Sequence, residues 1–183
     1  GTDVDPRREA ELRTLFPELD LTVRVVEPGD MSILAEPADI VSPNAGGAIL
    51  GPATIPTIRA KIVCGAANNQ LEDPQRDDVA LAARGTTYVP DFLVNRMGIV
   101  NCADEQFGFV DGDPAFEAHL GETWENSIYN LSRAVLAEAS RSGRTPHRVA
   151  LELAERRSLE RHPLWGHRGP SIIRTLLARG WAK

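Results

Sequence analysis

Lys61-Ile62-Val63-Cys64-Gly65-Ala66-Ala67-Asn68-Asn69-Gln70 divides in two at Gly65. The first four residues are apolar or β-branched for the most part and read as a short buried strand. The next six are small or carry side-chain amides and read as the loop that leaves it. Small residues let a flat ligand approach the backbone. Amides offer both a donor and an acceptor, which suits a carboxamide or a carboxylate. The same pattern recurs on either side. Asp39-Ile40-Val41-Ser42 is a strand stopped by Pro43 and followed by Asn44-Ala45-Gly46-Gly47. Thr86-Thr87-Tyr88-Val89 is a strand stopped by Pro90 and followed by Asp91-Phe92-Leu93-Val94-Asn95. One such loop is ordinary turn chemistry, because Asn and Gly are turn formers. Three in register on one sheet edge favour a ligand site.

The elements around these strands alternate. Asp5 can cap a helix with Pro6 at its first position, running to about Phe16. A strand follows over 22–26, then a short helix capped by Asp30 and ending near Ala35. A brief helix is expected over Ala53–Ala60, and another from Pro74 to Arg84 with Gly85 as its C-terminal cap. Strand–helix alternation at this pitch predicts an α/β fold with a parallel sheet. Right-handed crossovers then put every strand C-terminus on one edge, where open α/β sheets bind ligands. Asp3 lies where a strand would end. An acid there accepts hydrogen bonds from adenosine ribose hydroxyls in dinucleotide folds, or simply caps the helix that follows.

After Pro90 the pattern is helical. Phe116, Leu120, Trp124, Ile128, Leu131 and Val135 step by three or four, which predicts one long amphipathic helix ended by Gly143. Thr145 can cap a second helix carrying Val149, Leu153 and Ala154. Ile172, Ile173, Leu176 and Leu177 mark a third, with Gly180 as its stop. Trp124 and Trp165 either complete the core of this half or brace a second domain.

Composition narrows the class. The chain has 183 residues, 42% of them hydrophobic and 25% charged, as in an ordinary globular domain. No apolar run approaches the roughly 20 residues of a bilayer span, so no membrane association is expected. Cys64 and Cys102 make no disulfide framework and read as free buried thiols, which suits a cytoplasmic setting. His119, His147, His162 and His167 have no metal-ligand spacing. Residues 1–140 carry 23 acids against 10 bases, and residues 141–183 carry 3 against 10. These tail arginines alternate with apolar residues at helical spacing and lack aromatic partners. They read as a solvated helix face or a domain contact rather than a nucleic-acid site.

Taken together, the stretches Ala38 to Gly47, Ile55 to Leu71, Tyr88 to Phe92 and Asn95 to Glu105 resemble the cofactor domain of the glutamate/leucine/phenylalanine/valine dehydrogenases. The resemblance implies oxidative deamination of an L-amino acid with transfer of hydride to NAD or NADP. It places Asp3 on the adenosine ribose, where an acid disfavours a 2′-phosphate and so favours NAD over NADP. It lays the backbone of Ala45 and Gly46 along the cofactor. It brings Asn68 and Asn69 to the nicotinamide ribose or carboxamide, and Asn95 to the substrate or nicotinamide side of the cleft. Ile99 and Cys102, on one helix face, would line the substrate side-chain pocket and suit an aliphatic or aromatic amino acid. Such enzymes are expected as homo-oligomers when complete. The family usually reads Asn-Ala-Gly-Gly where this chain reads Asn95-Arg96-Met97-Gly98, which bears on the pocket. His162-Pro163-Leu164-Trp165-Gly166-His167-Arg168 resembles a subgroup's C-terminal signature.

Two ingredients are missing. No Gly-x-Gly-x-x-Gly spacing occurs, so the first βα turn that holds pyrophosphate is absent. In the strand order 3-2-1-4-5-6 the absent first strand is the centre of the sheet, leaving the strand at 22–26 without a bonded route to the one at 39–42. Amino-acid oxidation also needs a cation and a tuned base. The family takes them from an N-terminal domain, and the two lysines here, Lys61 and Lys183, are not placed for the task. The expectation is a partial NAD(P)-binding Rossmann domain over 1–112. A helical segment over 113–183 would pack on a missing N-terminal domain or on a separate chain supplying it. No catalytic residue is assigned within the chain, and no turnover is expected from it alone. A non-catalytic nucleotide-binding or regulatory module, or an interaction subunit, are the alternatives.

Overall fold

A computed structural model describes residues 1–107, 112–160 and 174–180. Its five strands are short and all parallel. β1 (Thr2–Asp3) pairs with β2 (Arg24–Val25), with Thr2 opposite Arg24. β3 (Ile40–Val41), β4 (Ile62–Val63) and β5 (Thr87–Tyr88) form a second sheet in that order, with Val41, Val63 and Tyr88 in line. The two sheets share no ladder, so the expected break between the strand at 22–26 and the one at 39–42 is present. The result is a partial Rossmann-type α/β architecture followed by helices.

Several helix starts are marked by a local side-chain hydrogen bond. Asp5 Oδ1 accepts the Arg7 N–H at 3.0 Å just ahead of α1 (Arg8–Leu15). Asp73 accepts the Gln75 and Arg76 N–H groups at the head of α2 (Pro74–Ala83), and Asp77 Oδ2 accepts the Asp73 N–H at 2.7 Å in return. Asp30 likewise accepts the Ser32 N–H, but residues Ser32–Ala35 form only a 3-10 turn, as do Ile55–Thr57. α3 (Asp91–Val94) and α4 (Met97–Phe107) follow β5 directly.

The expected long helix is two. α5 (Pro114–Leu120) ends at Gly121, and α6 (Ile128–Ser142) starts afresh from Ser127, whose hydroxyl accepts the Asn130 N–H. Asn130 Nδ2 donates to the Glu122 and Trp124 carbonyls and fixes the turn between them. Hydrophobic spacing runs through that turn unchanged, while side-chain capping interrupts the backbone ladder. α7 (Pro146–Ser158) is capped by Thr145 as expected. Of the third expected helix, residues 174–178 are helical and Gly180 is left-handed, while Ile172 and Ile173 lie outside the described residues. The segment His162 to Arg168, including Trp165 and His167, also lies outside them. Among the described residues no helix is long and apolar enough to cross a membrane.

The main core is built on the three-stranded sheet by Val41, Leu50, Ile55, Ile58, Val63, Leu71, Leu81 and Tyr88. A second cluster joins α6 and α7 through Val135, Ala139, Val149 and Ala150, with Leu93 of α3 packed against it. The tail arginines pair along this helix hairpin, Arg141 and Arg144 with Glu138, and Arg148 with Glu152. The thiols are less buried than expected: Cys64 is half-buried and Cys102 exposed, because α4 turns Cys102 outward.

Two contacts in this framework make testable demands. Gly65 lies so close to the backbone of Pro43 that a Cβ would overlap both the Pro43 carbonyl and its ring nitrogen. Gly65→Ala must push the ends of β3 and β4 apart, and we expect a loss of about 1–3 kcal/mol, read as a lower urea midpoint. The second contact joins α2 to α7, where the Thr145 hydroxyl donates to Asp78 Oδ2 at 2.6 Å. Asp78 is buried and its Oδ1 has no partner. Burial raises the Asp78 carboxyl above the ordinary 3.8, against the opposing pull of Thr145 and His147. The native state therefore binds this proton more readily than the unfolded chain, so this contribution favours folding at acid pH and is lost as pH rises past the raised value. Asp78→Asn should melt at or above the parent at neutral pH. The difference should vanish as pH falls below the ordinary aspartate value, as followed by melting curves across that range.

Candidate functional site

Parallel pairing sends the loops after β3, β4 and β5 off one edge of the sheet, and backbone contacts lock them together. Ala67 N–H donates to the Pro43 carbonyl at 3.0 Å, and Ala66 N–H donates to Asn44 Oδ1 at 2.9 Å. Ala48 N–H donates to the Asn69 carbonyl at 2.7 Å. A Cβ on Gly47 would sit 2.7 Å from the Asn68 carbonyl, so only glycine permits that approach. Gln70 is fully buried and its Nε2 donates to the Gly65 and Ala67 carbonyls, closing the loop after β4 on itself.

A cleft of about 520 Å³ lies at this edge between the two sheets. Asp3 and Val4 line one side, and Ser42, Asn44, Ala45 and Gly46 line the other. Three of the expected cofactor residues, Asp3, Ala45 and Gly46, thus share one cavity. Asp3 Oδ1 accepts the Asp5 N–H at 2.8 Å, and its Oδ2 lies 3.6 Å from Arg8 Nε. Both readings of Asp3 are compatible with this geometry: one oxygen braces the turn, the other faces Arg8, and the residue lines the cleft.

Asn68 and Asn95 meet. Asn95 Nδ2 donates to Asn68 Oδ1 at 2.6 Å, across 27 residues of sequence. Among the described residues the Asn68 amide donor and the Asn95 carbonyl acceptor have no other partner, and together they are the complement of a primary carboxamide. Asn69 plays another part: its backbone is left-handed, and its N–H donates to Asp91 Oδ2 at 2.7 Å. Ile99 and Cys102 share a face of α4 beyond Asn95, and Ile99 is 79% exposed. Arg96, which departs from the Asn-Ala-Gly-Gly pattern, donates to the Asn126 carbonyl and lies 5.9 Å over the Trp124 ring. Its side chain is thereby committed to the α5–α6 turn. Lys61 is exposed at the start of β4, the end of the strand away from the cleft, and Lys183 lies outside the described residues.

Two features are not evident from sequence. The segment after β2, from Val26 through Asp30 to Leu34, also lines the cleft, although Asp30 reads only as a cap. Its signal is Gly29, a turn residue just past a strand on the same edge. The other is Asp91, buried behind the Asn68–Asn95 pair. An Asp directly after a strand-ending proline looks like a helix cap, and its tie to Asn69 shows only in three dimensions.

No protein-family model matches the chain. L-tryptophan dehydrogenase of Nostoc punctiforme is 37% identical over 156 residues, 85% of this chain and 40% of that protein. Valine dehydrogenase of Streptomyces coelicolor is 39% identical over 144 residues, 78% and 37% respectively. Leucine dehydrogenase of Bacillus subtilis is 35% identical over 138 residues, 75% and 35%. The crystal structure of the Nostoc L-tryptophan dehydrogenase superposes with a TM-score of 0.69 over 85% of this chain and 43% of that one. A glutamate dehydrogenase from Thermus thermophilus shares the fold, with a TM-score of 0.57 at 20% identity. The chain therefore spans about 40% of the length of the first of these curated relatives. With an amide pair and an acid brought to the strand ends of a partial Rossmann fold, and with these relatives aligned along most of its length, the chain belongs to the amino-acid dehydrogenase family and corresponds to the C-terminal part of its members.

Proposed function

We propose that this chain is the C-terminal, cofactor-binding portion of an NAD-dependent dehydrogenase that deaminates an L-amino acid to the 2-oxo acid and ammonia. The observation that carries the proposal is the Asn68–Asn95 amide pair, held on the same edge as the cleft that contains Asp3. Residues 1–112 form the cofactor domain in this reading. Residues 113–183 form a helical segment that meets the catalytic domain or a partner as well as the α/β half.

The residues fit the two ends of a nicotinamide dinucleotide. Asp3 offers a carboxylate edge to the adenosine ribose, and its charge opposes a 2′-phosphate, which favours NAD over NADP. The backbone of Ala45 and Gly46 forms a wall that a flat ligand can approach closely. Asn68 and Asn95 hold the carboxamide and so set which face of the nicotinamide ring meets the substrate, while Asn69 shapes the loop. NAD supplies the hydride acceptor when bound. Ile99 and Cys102 supply the apolar wall for an aliphatic or aromatic substrate side chain, and Asn95 stands between the two ligands.

The middle of the cofactor has no cradle of the usual kind, because no glycine-rich turn leads into a helix N-terminus at the cleft among the described residues. Nor, among the described residues, does a lysine reach it, since Lys61 stands at the far end of β4. The proposal therefore assigns the pyrophosphate turn, the cation and the base to a segment outside this sequence, on the same polypeptide or on another. Its first element would be a parallel strand lying between β1 and β3. The complete enzyme would be a homo-oligomer.

Two measurements test this reading. The purified chain should form no NADH from L-tryptophan, L-valine or L-leucine, and a robust rate in an absorbance assay would overturn the assignment of bond-breaking groups elsewhere. Asp3→Ser should weaken NAD about tenfold, the scale of one charge-assisted hydrogen bond, and narrow the preference over NADP. Parallel titrations with the two cofactors would show it; an unchanged ratio would remove Asp3 from the site.

A further inference from the structure

The Asn68–Asn95 pair does not hold itself in place. Behind it sits Asp91, 7% exposed, at the first position of α3. A buried carboxylate is costly unless its oxygens are taken up. Among the described residues no arginine or lysine forms an ion pair with it. Its oxygens instead take two neutral donors, the Tyr88 hydroxyl on Oδ1 at 2.9 Å and the Asn69 N–H on Oδ2 at 2.7 Å. Burial and the Asp91 charge push the Tyr88 hydroxyl far above its ordinary value, so it remains a proton donor.

What these bonds restrain is specific. Asn69 has φ +53°, a left-handed conformation that is uncommon for non-glycine residues but that Asn tolerates, and hydrogen bonds on both faces of its peptide units fix it there. Asp91 grips its N–H from one side, and Ala48, itself at φ +54°, donates to its carbonyl from the other. Asn68 immediately precedes this clamp. The Asp91 backbone carbonyl also accepts the Asn95 N–H at 2.8 Å. One residue therefore touches both halves of the amide pair, through its side chain on the Asn68 side and its main chain on the Asn95 side.

We propose that Asp91 is a positioning residue: by holding Asn69 left-handed while anchoring Asn95, it sets the Asn68–Asn95 pair in the one pose that presents a donor and an acceptor together to a carboxamide. The inference rests on the reading of that pair as the nicotinamide contact and adds the selectivity it should show. A site with one donor and one acceptor matches the nicotinamide form of the dinucleotide. It mismatches the nicotinic-acid form, whose carboxylate only accepts.

The experiment uses the 183-residue chain and compares Asp91→Ala, Asp91→Asn and Tyr88→Phe with the parent. NMR follows the backbone amide of Asn69 and the side-chain amides of Asn68 and Asn95. Titrations with NAD and with nicotinic acid adenine dinucleotide give the affinity ratio. In the parent, the Asn69 amide should be protected from hydrogen exchange although its loop is exposed. Asp91→Ala should remove that protection, shift both side-chain amides and reduce the ratio about tenfold, toward unity. Asp91→Asn, which keeps an acceptor for Asn69, should retain the ratio within about threefold. Tyr88→Phe should lower Tm, as loss of a buried hydrogen bond does, yet leave the Asn95 amide and the ratio in place. A freely exchanging Asn69 amide in the parent would overturn the proposal, and that test needs no folded variant. So would Asp91→Ala lowering Tm with the amides and the ratio unmoved. If NAD leaves the parent's Asn68 and Asn95 signals unchanged, the cofactor reading fails, while the amide shifts in Asp91→Ala still decide whether Asp91 orders the pair.

Discussion

The close approach of two loop backbones governs this site. Where β3 and β4 end, Gly65 lies against Pro43, and Gly47 lies against the Asn68 carbonyl. Neither contact leaves room for a side chain. Because these loops touch main chain to main chain, hydrogen bonds from Ala67 to Pro43 and from Ala48 to Asn69 can bridge them. The loops then behave as an extension of the sheet, and the Leu50–Leu71 bridge continues the parallel pattern beyond the strands proper. The short ladders at the sheet centre become sufficient, since a core of Val63, Leu50, Leu81 and Tyr88 packs beneath them. The amide pair stands on a rigid platform for this reason.

How far the sequence reveals this differs from element to element. The positions of the strands and the cap at Thr145 follow from β-branched runs and from Thr chemistry that acts over three or four residues, and the strands' common direction follows from strand–helix alternation. The division of the expected long helix was not legible in the same way. Phe116 to Val135 keeps helical spacing through Trp124, yet Ser127 and Asn130 supply local partners that let the backbone leave the helix. Periodicity reports which face is apolar and is blind to where the ladder stops. Asp3, Ala45 and Gly46, which the family resemblance singles out, come to line one cleft because strand ends lie on a common edge. The Asp91–Asn69 tie was not legible, since it joins residues 22 apart through a backbone N–H that no residue type announces.

The two sheets are also unequal in what supports them. The unit of β1, β2 and α1 has little beneath it. α1 buries no residue, and Val4, Leu15, Leu19 and Val25 are exposed. Its ties are the short β1–β2 ladder and surface ion pairs such as Arg13 with Glu9, each worth at most about 1 kcal/mol. The three-stranded sheet, by contrast, buries its central side chains almost completely.

This inequality separates the two ends of the proposed cofactor site. The amide pair, clamped by Asp91 and Ala48 on the packed sheet, is pre-organised before any ligand arrives, so binding there need not pay for ordering the loop. Asp3 sits on the poorly buried unit, and its position relative to Ala45 and Gly46 depends on whatever fills the space between β1 and β3. A strand paired into that space would hydrogen-bond β1 and β3 alike and fix the width of the cleft between Asp3 and Gly46. In the proposed reading, completing the sheet tightens the adenosine end around Asp3, whereas the amide pair proposed for the nicotinamide end is already built into this chain.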